Sequence, residues 1–311
     1  MADPDFTAVR GRLFQLHAAG DYAAALDLAR SAARDFPDEV DRTTYWIACL
    51  LARLGDEEGA LRALEEGSQR ALWWAPEALE ADPDLEPLRT SDRFRTIVEA
   101  GRVAHAATGR RPPAEPIVRH PATGSARAAL VVLHARGERA ELAVERWTDA
   151  GDLLLIAPHS TQAFDMRSGC WDDQQAAEVD VRRAVDSSLA DLDGAPPLVI
   201  GGFSQGAALA VYLAAGRRIV GIGGCIAVAP SAGWARELIG PDLPSLDGQR
   251  FVMLMGTLDP RHDDCQRLAD QLRAAGAEVR LDVIEGLAHD YPADFGQRLP
   301  AALDWVLSHG V

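Results

Sequence analysis

Ser204, Asp259 and His289 follow one another, in that order, along a chain of 311 residues. A serine hydroxyl is a poor nucleophile at neutral pH. It becomes effective when a histidine takes its proton and a carboxylate fixes the imidazole tautomer and stabilises the imidazolium. The three residue types therefore point to acyl transfer through a covalent serine intermediate. Their surroundings make the same case. Ser204 sits in Gly202-Phe203-Ser204-Gln205-Gly206, after Pro197-Leu198-Val199-Ile200 and before the small apolar run 207–215. That order predicts strand, sharp turn, helix. The turn holds the serine out of the sheet at a helix N-terminus, and the glycines keep side chains out of a crowded junction.

The other two residues need elements of their own. Residues 251–255, Phe-Val-Met-Leu-Met, read as a strand that ends in Gly256-Thr257-Leu258-Asp259-Pro260. Residues 278–284 alternate as a strand and end in Gly286-Leu287-Ala288-His289-Asp290. Both candidates lie just past strand C-termini, where open α/β sheets place their ligand crevices. The elbow and the Ser, Asp, His order predict an α/β-hydrolase with a mostly parallel sheet. Asp263 and Asp264 compete for the role of the acid. They fall on a helix expected to start near Pro260, where acidic residues favour the N-terminal dipole. His262 lacks a preceding strand and turn, and His309 lies at the end of the chain, where order is commonly lost. His134 and His159 flank the expected crevice, either lining it or making structural hydrogen bonds. The oxyanion of acyl transfer needs two preorganised donors. One is expected from the Gln205 N–H, and the other from the loop after strand 129–133, which carries His134-Ala135-Arg136-Gly137-Glu138.

Residues 116–311 resemble the phospholipase/carboxylesterase family, which includes the acyl-protein thioesterases. The likeness rests on Leu133-His134-Ala135-Arg136-Gly137-Glu138, on Ala157-Pro158-His159-Ser160 followed by Trp171-Asp172, on the segment 202–206, on 256–260, and on 286–289. It implies Ser204, Asp259 and His289 as the triad, with the backbone of Arg136 and Gln205 as oxyanion donors. It also implies ester or thioester hydrolysis. Ala135 stands where the family has glycine, Glu138 where it has aspartate, and Ala207 where a further glycine is common. If position 135 takes φ > 0, alanine there is strained.

The first third of the chain is a different object. Residues 18–26, Ala-Ala-Gly-Asp-Tyr-Ala-Ala-Ala-Leu, recur loosely at 52–61, and Gly20 and Gly55 mark the same turn in each copy. This resembles tetratricopeptide repeats, in which each unit is helix, turn, helix. Ala25, Ala29 and Ala32 are small enough for close helix packing, and residues 40–54 read as the next helix. Two units fall short of the usual three. Residues 71–98, with Trp73, Trp74, Leu79, Leu85, Leu88 and Phe94, are expected to add capping helices. A helix cannot bury adjacent tryptophans on one narrow face. Either one of the pair faces a second surface, the hydrolase part or a partner protein, or both lie inside the helical module near its end. A generic helical bundle is the plainer reading.

The expected organisation is a helical domain over 1–105, a linker over 106–115 and an α/β-hydrolase domain over 116–311. Residues 104–116 are rich in Ala, Gly, Arg and Pro, and Arg110-Arg111 reads as solvated linker charge. A loop over 232–250 is expected beside the substrate pocket. The start, Met1-Ala2-Asp3-Pro4-Asp5, is acidic and has no apolar core of a signal peptide. No apolar stretch spans a bilayer. The four cysteines are scattered without metal-ligand spacing. These features predict a cytoplasmic protein without cofactor, metal or integral membrane association. A net charge of −16 argues against nucleic acid. The expected partners are a small acyl ester or thioester and a protein bound by the repeats. A peptidase or amidase on the same triad, and a non-catalytic protein working through its repeats, are the alternatives.

Overall fold

Asp21 and Asp56 each start a helix in the same way. Their carboxylates accept the N–H of Ala24 and of Gly59, supplying acceptors for helix donors that have no partner within the helix. Gly20 and Gly55 precede them with φ of +74° and +80°, the left-handed conformation that ends one helix and turns into the next. The computed structural model in which these features are seen describes residues 6–122, 124, 126–148, 151–190, 194, 196–241 and 243–308. The acidic residues 1–5 and His309 lie outside the described residues.

The chain divides into two compact units, residues up to 109 together with 164–166, and 110–163 together with 167 onward. The first is helical: α1 (Phe6–Ala18), α2 (Tyr22–Asp35), α3 (Val40–Arg53), α4 (Glu57–Gln69), α5 (Pro76–Ala81) and α6 (Asp92–Thr108). Ala25, Ala29 and Ala32 are buried on one face of α2, as their spacing predicts. Leu50, Leu64, Leu79, Leu85, Leu88 and Phe94 complete its core. The two tryptophans depart from expectation. Residues 72–75 form no helix, so Trp73 and Trp74 lie on a non-helical connection between α4 and α5. The helical-face argument does not apply to them. Trp74 is buried and its indole N–H donates to the Asp41 carbonyl at 2.9 Å, while Trp73 packs edge-on against His105.

In the second unit, long apolar runs form central strands buried on both faces, as parallel sheets require, between two less buried edge strands. The strands are β1 (Ile117–Arg119), β2 (Ala128–Leu133), β3 (Leu153–Ala157), β4 (Leu198–Phe203), β5 (Ile222–Val228), β6 (Arg250–Gly256) and β7 (Glu278–Ile284). Their order is β1-β3-β2-β4-β5-β6-β7, and only β1 is antiparallel. Helices α8 (Gln174–Leu189), α9 (Gln205–Ala215), α10 (Ala232–Ile239) and α11 (His262–Ala274) pack on one face. Helices α7 (Ala140–Arg146) and α12 (Phe295–Leu307) cover the other. This is the α/β fold expected from the sequence. The register aligns Leu133 with Gly202 and Gly256 with Ile284, which brings the C-terminal ends of β2, β4, β6 and β7 to one edge.

Two local expectations change. The span 232–250 is not all loop, because its first eight residues form α10. The basic pair at 110–111 is not loosely solvated. Helix α6 runs on to Thr108, Arg110 pairs with Asp173, and the Arg111 N–H donates to Thr161 O at 2.7 Å. The Arg111 guanidinium also donates to the carbonyls of Arg167 and Ser168.

Candidate active site

Strand β4 ends at Phe203 and α9 begins at Gln205, so Ser204 must make the whole turn. It does so at φ +54° and ψ −113°, a region that a residue with a Cβ rarely occupies. Such a conformation persists only when its surroundings fix it. Here the Ser204 N–H donates to Val228 O, and the Ser204 carbonyl accepts from both Ala208 N and Ser231 N. The flanking glycines have a steric reason. A Cβ on Gly202 would lie 2.6 Å from Leu133 O, and one on Gly206 2.4 Å from the same atom. The end of β2 thus packs directly against the elbow.

The elbow presents the hydroxyl to His289. Ser204 Oγ lies 2.9 Å from His289 Nε2, and His289 Nδ1 lies 2.6 Å from Asp259 Oδ2. An imidazole protonated on Nδ1 donates to Asp259 and leaves Nε2 to accept the serine proton. Asp259 is 3 % exposed. Its second oxygen accepts the Arg261 N–H at 2.9 Å, which fixes the carboxylate plane. Phe203 packs beside the His289 ring at 5.1 Å and stacks on Tyr291, whose hydroxyl accepts the Trp147 indole N–H. The His289 imidazole is therefore held by an aromatic column as well as by the Asp259 carboxylate.

The structure separates the competing residues from this line. Asp264 pairs with Arg267 at 2.8 Å, and the exposed Asp263 lies beside His262 in the first turn of α11. His134 makes a structural bond. Its Nδ1 lies 2.8 Å from Ala135 O and its ring stacks on Trp171. Burial disfavours the imidazolium and pushes the His134 pKa down to about 4. His134 and His159 line a small cavity of about 80 Å³ with Arg111, Glu138, Arg139 and Ser160.

The loop after β2 differs from the sequence expectation at one point. Its left-handed residue is Gly137, at φ +74°, and Ala135 does not take a positive φ. The alanine is buried without that strain. The candidate donor residues Arg136 and Gln205 are joined through a residue whose role the sequence did not reveal. Asp172 accepts from Arg136 Nε at 3.2 Å, from Arg136 Nη2 at 2.9 Å, and from Gln205 Nε2 at 2.6 Å. Burial raises the Asp172 pKa, but the bonds from Arg136 and Gln205 outweigh it and hold the carboxyl below its ordinary range. Trp171-Asp172 was legible as a motif, and its bonding was not.

Among the described residues, one group has the composition of a metal site: Cys49, Asp82 and Asp84 in the helical unit. Hydrogen bonds account for it. Asp82 accepts from Tyr45 OH at 2.7 Å and from Asp84 N, while Asp84 pairs with His17 at 2.6 Å. No described helix is long and apolar enough to cross a membrane.

No protein-family model matches the sequence, and no curated protein does. Solved structures do. An uncharacterized protein from Bacillus cereus ATCC 10987 is similar over 99 % of this chain and 100 % of its own, at 21 % identity and a TM-score of 0.50. Acyl-protein thioesterase 2 of Zea mays aligns with 62 % of this chain and 99 % of its own, at 19 % identity and a TM-score of 0.46. A phospholipase/carboxylesterase of Dyadobacter fermentans DSM 18053 aligns with 62 % of this chain and 98 % of its own, at 21 % identity and a TM-score of 0.46. The likeness to the Bacillus cereus protein is one of fold.

Proposed function

We propose that this chain is a serine hydrolase that cleaves carboxylic esters or thioesters through an acyl-enzyme. The observation that carries the reading is the continuous hydrogen-bonded line from Ser204 Oγ through His289 to the buried Asp259, with the serine on a strained turn. Ser204 Oγ attacks the acyl carbonyl as His289 Nε2 takes its proton, giving a tetrahedral oxyanion. Collapse of that intermediate breaks the bond to the leaving alcohol or thiol, which receives the proton from His289. Water then attacks the acyl-serine with His289 again as base, and the carboxylic acid leaves. The backbone N–H groups of Arg136 and Gln205 are assigned to the oxyanion. Asp259 holds the tautomer and stabilises the imidazolium.

Under this reading residues 116–311 form the hydrolase domain and residues 1–105 a tetratricopeptide-like module that takes a protein partner. The repeated Gly-Asp turn supports the module. All four cysteines are unpaired and buried, which suits the reducing cytoplasm. The decisive experiment is labelling by a fluorophosphonate probe with Ser204→Ala as control, followed by turnover of p-nitrophenyl esters and acyl thioesters of graded chain length. Labelling that is unchanged in Ser204→Ala would remove the assignment.

A further inference from the structure

Residues 169–172 run beside the loop after β2 and bond to it repeatedly. The Gly137 N–H donates to Gly169 O and the Gly169 N–H to Glu138 O, both at 2.9 Å. The Trp171 indole N–H donates to His134 O at 2.8 Å. The same segment reaches the elbow. The Trp171 backbone N–H donates to Gln205 Oε1 at 2.9 Å, and Gln205 Nε2 donates to Asp172 Oδ1. Asp172 then closes the circuit, because the Arg136 guanidinium spans both of its oxygens.

This geometry bears on catalysis. Arg136 and Gln205 belong to two different elements, the loop after β2 and the first turn of α9. A paired hole works only if both donors already point at the position where charge develops, since reorientation during the reaction forfeits the benefit. A fork-on-carboxylate bond fixes orientation as well as distance. One carboxylate gripping both side chains ties the two backbones to a common reference.

We propose that Asp172 is a positioning residue that sets the Arg136 and Gln205 backbone N–H groups at their common target. The assignment rests on the serine-hydrolase reading above. Asp172 acts through the two donor residues, whose side chains it accepts from. Its side chain is half exposed, so removing it empties no core.

The test compares wild type with Asp172→Ala, Asp172→Asn, Arg136→Ala, the Asp172→Ala/Arg136→Ala double variant, and Ser204→Ala. Three quantities are measured: kcat and KM on a p-nitrophenyl ester, the inhibition constant of an acyl trifluoromethyl ketone, and the thermal midpoint. The ketone forms a hemiketal oxyanion on the serine, so it reports the hole directly. Asp172→Ala is expected to lower kcat roughly tenfold to a hundredfold, a part of what losing a whole donor costs. KM should stay within about twofold, and ketone affinity should fall by the same factor as kcat. Arg136→Ala should reproduce part of this, and the double variant should be no worse than Asp172→Ala alone. Asp172→Asn, which keeps an acceptor for Gln205 but loses the charge facing Arg136, should fall between. Unchanged kcat and ketone affinity in both Asp172 variants would overturn the role. So would a loss that tracks KM or the thermal midpoint instead of ketone affinity. An inactive Ser204→Ala beside a fully active Asp172→Ala refutes the positioning role alone. An active Ser204→Ala refutes the hydrolase reading on which it stands.

Discussion

The Leu258 N–H donates to the Leu287 carbonyl at 2.9 Å, so the turn that carries Asp259 and the turn that carries His289 share a backbone bond. Two more bonds flank it. Thr257 N donates to Ile284 O, and Gly286 N donates to Thr257 Oγ1. Asp259 and His289 are thus aligned by main chain before their side chains meet.

Gly256 is the point of closest approach between these turns, since a Cβ there would lie 2.0 Å from Leu287 O. Gly256→Ala should push the turns apart. We expect a loss of about 1–3 kcal/mol of stability from overpacking. We also expect kcat to fall at least roughly tenfold, because small misplacements of reacting groups are costly. Denaturant melts and ester turnover on one preparation check both; a variant normal in each would show that the turns tolerate separation.

Ser204→Ala and His289→Ala should each lower kcat on the order of 10³-fold or more, with the double variant little worse, because the two act as a unit. Asp259→Asn should be severe through the wrong tautomer. Asp263→Ala and Asp264→Ala should leave kcat within about twofold, since surface changes away from the site are small. Steady-state kinetics on all six decide the acid. Damage from Asp264→Ala in place of Asp259→Asn would move it to α11.

The elements around the site were legible because strand ends and turn residues are local in sequence. β4 and β6 follow from apolar runs that stop at glycine, β7 from an alternating segment that ends before Gly286, and the elbow follows from Gly202 and Gly206. What the sequence could not supply was side-chain bonding over long separations. Asp172 reaches Arg136 and Gln205, 36 and 33 residues away. The helix expected at Trp73-Trp74 failed because residues 72–75 are not helical, a break that Pro76 two residues on signals in the sequence. The strain expected of Ala135 belongs to a left-handed position that falls two residues later.

The conformation of that loop therefore predicts which substitution matters. Ala135→Gly should leave kcat within about twofold, because it relieves no strain. Gly137→Ala should cost about 1 kcal/mol for placing a Cβ at positive φ, with a lower kcat if the loop shifts. Paired melts and kinetics on the two variants measure this, and an activated Ala135→Gly would contradict the loop path described here.

Acid should destabilise the fold through His134. Its ordinary pKa is 6.5 and burial depresses the folded value to about 4. Above pH 6.5 the group is neutral in both states. Below it the unfolded chain binds a proton that the folded chain refuses, so stability falls as pH drops toward 4, by about 3 kcal/mol in all. Unfolding free energy measured between pH 7 and 4 should show this slope, and His134→Gln should flatten it. An equal slope in the variant would assign the effect to other groups.

The residue proposed as base follows β7, an edge of the described sheet, whose residues are only partly buried. The proposed nucleophile follows β4, whose first five residues are buried, 85 residues earlier in the chain. The two ends of one hydrogen bond thus belong to parts of the molecule that yield at different loads. As denaturant rises, an edge strand detaches before the centre of a sheet dissolves. Inactivation should then precede the loss of ellipticity, and a nascent chain should gain activity only when its last strand has docked.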